Sequence, residues 1–135
     1  MKKEHVTPLK EKLISFETAK LAKEKGFHIS SRGEGMGKRV FINGELVNTI
    51  FSSKDYIHAP TQSLLQKWLR EVHEISIKID DYYTDSRVRF DYNVCQLGSQ
   101  EDNPVGIFET YEEALEIGLQ EALKLIKNSY HENKL

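Results

Sequence analysis

Cysteine is almost missing from this chain: Cys95 stands alone. No disulfide can therefore form within it, and a zinc site built on cysteines lacks its ligands. No apolar run approaches the roughly 20 residues that a helix needs to cross a bilayer. Neither sign of charge dominates, since 19 Lys and Arg stand against 21 Asp and Glu for a formal net charge of −2. Such a balance gives no general attraction to phosphate, so nucleic-acid binding would require a local basic patch. The opening residues Met1-Lys2-Lys3-Glu4-His5 contain no apolar stretch of the kind a secretory signal uses. With the lone cysteine, this leads to the expectation of a cytoplasmic protein with no membrane segment.

Catalytic and metal signatures are sparse as well. His5, His28, His58, His73 and His131 are scattered, and no pair has the four-residue helical spacing of a metalloprotease site. No Gly-x-Ser-x-Gly elbow occurs, and no histidine lies near Cys95 in the sequence. Asp80-Asp81 suits a strand-end turn, and Glu112-Glu113 suits a helix N-terminus. The glycine-rich stretch from Arg32 to Lys38 fails the phosphate-loop spacing: Lys38 stands where the second glycine is needed, and Arg39 follows in place of a hydroxyl. It reads first as a turn-rich loop. A sharper reading is that Arg32, Gly35, Lys38 and Arg39 clasp a small anion such as a nucleotide phosphate. Overall these absences lead to the expectation of a non-enzymatic protein with no cofactor and no metal.

What is present is clear periodicity. Ser15 precedes Phe16 to Lys25 and Gly26 follows, which gives an N-cap, a helix and a left-handed stop. Asn43-Gly44 between Arg39–Ile42 and Glu45–Phe51 is a hairpin signal, because both turn residues must take positive φ. Pro60-Thr61 opens a second helix whose inward face is Leu65, Trp68, Leu69 and Val72, at helical spacing. Two alternating strands follow, Ile75–Ile79 and a run with Val88, Phe90, Tyr92 and Val94 on one face, joined near Thr84-Asp85-Ser86. Arg87, Arg89, Asp91 and Asn93 point the other way. Ile107-Phe108 reads as a short edge segment. Thr110 and Glu113 form a capping box for a last helix with Ala114, Leu115, Leu119, Ala122, Leu123 and Ile126 inward. Gly118 costs that helix roughly 1 kcal/mol of propensity, so a close-packing reason is expected there.

The expected architecture is thus one α+β domain over 13–128, with flexible ends at 1–12 and 129–135. Its element order is α-ββ-α-ββ-α, with three helices on an antiparallel sheet of about four strands. Helix two places Gln62, Ser63, Gln66, Lys67 and Arg70 on its polar side, residue types that contact phosphates and base edges. Lys78, Arg87 and Arg89 add basic positions on the sheet, although Glu71, Glu74, Asp80 and Asp91 interleave with all of these. Tyr82 and Tyr83 are adjacent in a strand and must face opposite ways, so one of them is an exposed aromatic suited to anchor an interface.

Three segments have wording beyond their pattern: Ile14-Ser15-Phe16-Glu17-Thr18-Ala19-Lys20 continuing to Phe27, Ala59-Pro60-Thr61-Gln62-Ser63-Leu64-Leu65-Gln66-Lys67-Trp68-Leu69-Arg70-Glu71, and Thr110-Tyr111-Glu112-Glu113-Ala114-Leu115-Glu116-Ile117-Gly118 continuing to Ile126. They resemble a group of small uncharacterised proteins from Bacteroidetes and their phages or prophages. That resemblance implies a small accessory protein carried on mobile DNA, and it transfers no activity and no site residues. The reading at this point is a binding protein whose partner is another protein or a second copy. Alternatives are a nucleic-acid accessory protein using Gln66, Lys67, Arg70, Arg87, Arg89, Tyr82 and Tyr83, or a nucleotide binder using the glycine-rich loop.

Overall fold

A computed structural model describes residues 10–28, 38–42, 44–49 and 56–127. Three helices, α1 (Phe16–Glu24), α2 (Gln62–His73) and α3 (Tyr111–Lys124), alternate with six strands. The strands are β1 (Lys38–Ile42), β2 (Glu45–Thr49), β3 (Tyr56–His58), β4 (Ile75–Thr84), β5 (Arg87–Gln96) and β6 (Val105–Phe108). The α+β class holds, but the single sheet of about four strands does not. There are two three-stranded antiparallel sheets, ordered β2-β1-β3 and β4-β5-β6. The element order is accordingly α-βββ-α-βββ-α. The edge segment expected at Ile107-Phe108 is the end of β6, whereas β3 has no counterpart in the expected order, and both are weak signals for a physical reason. β3 is three residues long, too short to show alternation, and β6 carries Gly106 at φ +102° beside an irregular register between Phe90 and Tyr92.

Local signals place the elements well. Ser15, Thr61 and Thr110 cap the three helices, each accepting a backbone N–H three residues on, from Thr18, Leu64 and Glu113. The Glu113 carboxylate returns to the Glu109 N–H at 3.2 Å, one residue before the cap expected to receive it. β1 and β2 pair with Ile42 opposite Glu45 and Gly44 at φ +82° between them, while Asn43 of the expected turn lies outside the described residues. Asp85 and Ser86, both at positive φ, form the two-residue turn between β4 and β5.

All six inward positions expected on α3 are buried, and this helix organises the core. It lies across β4 and β5, with α1 and α2 packed beside it. Gly118 sits where the helix meets the sheet: a Cβ there would stand 3.0 Å from the Ile77 methyl and 3.3 Å from Tyr92 Cβ. Phe16 meets Phe41 and Phe27 meets Trp68 edge to face, each at 5.2 Å between ring centroids, which ties the first sheet and α2 to α1. Val72 departs from expectation. It is 59% exposed, because burial on α2 ends at Leu69 and the last turn carries it clear of the core.

Gln62 also departs, and more informatively. Expected on the polar face of α2, it is only 4% exposed. Its Nε2 donates to Glu116 Oε1 at 2.8 Å and to the Glu112 carbonyl at 2.9 Å. The other Glu116 oxygen accepts the Ser15 N–H at 2.8 Å and the Thr18 hydroxyl at 2.5 Å, and Gln120 Nε2 donates to Thr18 Oγ1 at 2.9 Å. One carboxylate on α3 therefore holds the first turns of both α1 and α2. Every group facing Glu116 is a donor, so Glu116→Gln turns an amide NH₂ onto another donor. We expect it to cost about 1–3 kcal/mol in chemical denaturation. Gly118→Val should cost about 1–3 kcal/mol by overpacking against Ile77 and Tyr92. Gly118→Ala should be milder, because helix propensity returns about 1 kcal/mol.

Candidate interaction surface

The second sheet has two unlike faces. Toward α3 it presents Ile77 opposite Val94, Ile79 opposite Tyr92, Asp81 opposite Phe90 and Tyr83 opposite Val88. Away from α3 it presents Lys78 opposite Asn93, Asp80 opposite Asp91, Tyr82 opposite Arg89 and Thr84 opposite Arg87. The hairpin outruns its helix: α3 starts at Tyr111, whose ring meets Phe90 at 6.3 Å, and beyond that point Tyr83 and Val88 have no cover.

The residues expected to contact nucleic acid do not assemble into one patch. Gln66 is committed to structure, donating from Nε2 to the Ile77 carbonyl at 3.0 Å. Lys67 and Arg70 are exposed on α2 near that end of β4. Arg87 pairs with Thr84, seven residues along β4 from Ile77. At about 3.3 Å per residue Thr84 lies roughly 23 Å along the strand from Ile77, so the arginines sit toward the other end of the hairpin. Arg87 forms a loose ion pair with Glu109 at 3.9 Å, and Arg89 donates to the Val88 carbonyl at 3.4 Å. Tyr82 is half-buried with its hydroxyl 3.4 Å from the Gly106 carbonyl, whereas Tyr83 is 74% exposed, so Tyr83 is the exposed member of the pair. Of the anion-binding loop, Arg32 and Gly35 lie outside the described residues. Lys38 opens β1 and Arg39 is exposed on it.

Between the two basic groups the same face carries the exposed Lys78 and, beyond it, carboxylates. Asp80 and Asp91 are opposed across the ladder, and one oxygen of Asp91, Oδ1, is buried with no hydrogen-bond partner. Burial first, then the charges of Asp80 and Asp102, push the Asp91 carboxyl above its ordinary value of 3.8, against a backbone hydrogen bond from Asp80. Asp102 is carried there by the β5–β6 connection, which Asn93 clasps. Asn93 is 3% exposed, donates to the Glu101 carbonyl at 3.2 Å and accepts the Asn103 N–H at 3.1 Å. The Asp80–Asp91 pair was recoverable in principle, because a two-residue turn at Asp85-Ser86 sets the register and counting back opposes 80 with 91. The Asn93 clasp had no sequence signal.

A different surface emerges at the open end of the hairpin. Tyr83 (74% exposed), Val88 (42%) and Tyr111 (44%) join through half-buried Phe90 into one apolar strip. Cross-strand opposition links Tyr83 to Val88, the strand links Val88 to Phe90, and ring contact links Phe90 to Tyr111. The sequence pattern put Val88 and Phe90 on one inward face, and Phe90 is indeed tucked under Tyr111. Val88 misses burial only because α3 begins too late to reach it.

Among the described residues no group of three or more His, Cys, Asp or Glu is placed to hold a metal ion, and no helix is long and apolar enough to cross a membrane. Cys95 is buried. No family model, curated protein or solved structure matches the chain.

The acidic pair makes stability depend on pH in a set direction. Between pH 3.8 and the raised value of Asp91, the folded protein keeps a proton that the unfolded chain has released. Stability therefore falls as pH rises through that window. Asp91→Asn should raise the melting temperature at neutral pH, and the gain should vanish below pH 3.8, where both states of the native protein are protonated. Thermal melts of both proteins across pH check this; a gain that persists unchanged in acid would contradict the assignment.

Proposed function

We propose that this chain is a non-enzymatic interaction protein that docks another protein through the open end of the β4–β5 hairpin. The supporting observation is the exposed strip Tyr83–Val88–Phe90–Tyr111, mounted on a two-stranded ladder and a capped helix N-terminus. Tyrosine on a rigid scaffold offers large contact area at small entropic cost, and aromatic anchors of this kind dominate interface energetics. The resemblance to small proteins of Bacteroidetes and their phages suggests the setting, an accessory protein that acts by binding. Nucleic acid is disfavoured as the partner because Asp80, Asp91 and Asp102 interrupt the basic positions Lys67, Arg70, Lys78, Arg87 and Arg89.

A tagged pull-down from host lysate with nuclease, read by mass spectrometry, tests the proposal when run beside Tyr83→Ala. A stoichiometric protein that survives nuclease and is lost with the variant is the expected result. A central tyrosine contributes about 2 kcal/mol or more, so retention should drop at least about 30-fold. A partner retained equally by Tyr83→Ala would move the interface elsewhere. Capture that depends on nucleic acid would return the argument to Lys67 and Arg70.

A further inference from the structure

We infer that the segment docking on this strip is basic as well as apolar: a stretch of about five residues that sets Arg or Lys beside aromatic or aliphatic side chains. This inference rests on the docking role proposed above. Its basis is the charge around the strip. Asp81 is exposed on the same face as Tyr83 and Phe90, Asp85 lies in the adjoining turn, and Glu112 and Glu113 are exposed next to Tyr111. Arg87, beside the turn, is on the opposite face and is engaged with Glu109. Arg89 is on that opposite face too. The N-terminus of α3 contributes roughly half a positive charge, too little to offset these carboxylates even with both arginines counted. Among the described residues, on the order of two negative charges remain at this end of the molecule.

That rim selects among occupants. A second copy laid strip to strip would oppose Asp81 and Glu112 with their own counterparts, and like charges directly opposed are unfavourable. A polyphosphate backbone would be repelled outright. A cationic segment gains twice, by pairing with the rim and by stacking over the faces of Tyr83 and Tyr111. The length follows from the geometry. One cross-strand step of about 5 Å, two residues of β5 and the 6.3 Å ring step to Tyr111 span roughly 15–18 Å. An extended segment of about five residues covers that distance.

Selection from a random dodecapeptide display library on the full-length protein tests the inference. A synthetic peptide of the enriched consensus is then titrated by fluorescence anisotropy at two salt concentrations. The expected consensus combines Arg or Lys with aromatic or aliphatic residues. Its affinity should fall about fivefold in Asp81→Asn/Glu112→Gln, more in Tyr83→Ala, and also with added salt. All three positions are exposed, so circular dichroism and melting should show the variants folded. An acidic or uncharged consensus that is lost with Tyr83→Ala but unmoved by Asp81→Asn/Glu112→Gln would overturn the basic partner and leave the docking surface standing. No enriched consensus, or one that binds Tyr83→Ala as well as the native protein, would overturn both. Concentration-dependent dimerisation abolished by Tyr83→Ala would show the occupant to be a second copy and overturn the basic segment.

Discussion

The Glu116 carboxylate is the constraint on which the arrangement of helices depends. It accepts from Ser15 and Thr18 at the start of α1 and from Gln62 at the start of α2, while its own helix lies across the second sheet. A half-buried charge is costly unless its lone pairs are satisfied, and here three donors from two other helices satisfy them. Because the donors belong to first turns, both helix N-termini are drawn to one point on α3. Burial of Leu65, Leu69, Leu119 and Leu123 holds the helices together without direction, and the hydrogen bonds add direction to it. The network rewards one relative position and penalises the others.

Gly118 fixes the other side of α3. With Ile77 and Tyr92 so close beneath it, the helix sits nearer the sheet there than a side chain would permit. Clamped from above by Glu116 and seated below at Gly118, α3 cannot shift along β4 and β5. Its first residue is therefore fixed at Phe90, and whatever the hairpin carries beyond Phe90 stays uncovered. The exposed strip is thus a geometrical consequence of the clamp. Tyr83, the most exposed tyrosine among the described residues, sits where the positioning of one helix leaves it.

The same geometry distributes charge. The antiparallel ladder puts Asp80 against Asp91 and carries Arg87 and Arg89 to the far end from Lys67 and Arg70. Cations whose relative placement the spacing left open fall into two groups, with Lys78 and carboxylates between them. The rim of the strip is acidic for a local reason: acidic residues at Glu112 and Glu113 suit the positive end of α3, and Asp85 suits a tight turn.

Much of this was legible in the residues. Caps at Ser15 and Thr110, the Asn43-Gly44 turn, the Asp85-Ser86 turn and the inward face of α3 are local, and local backbone chemistry decides them within a few residues. Tyr82 and Tyr83 could be divided into one sheltered and one exposed ring by alternation alone, but not which was which. β3 escaped, and β6 showed only as the edge segment Ile107-Phe108, because a strand of three or four residues is held by its neighbour's hydrogen bonds, not by its own pattern. Gln62 looked like a surface residue because its partner lies 54 positions away on another helix. By itself, then, the sequence determined the helices, the hairpins and which faces are apolar, since these follow from spacing and capping. Only the tertiary structure decided which polar groups are buried, where the charges gather and how far α3 reaches along its sheet. Those depend on contacts between residues far apart in the chain, and no local rule encodes their distances.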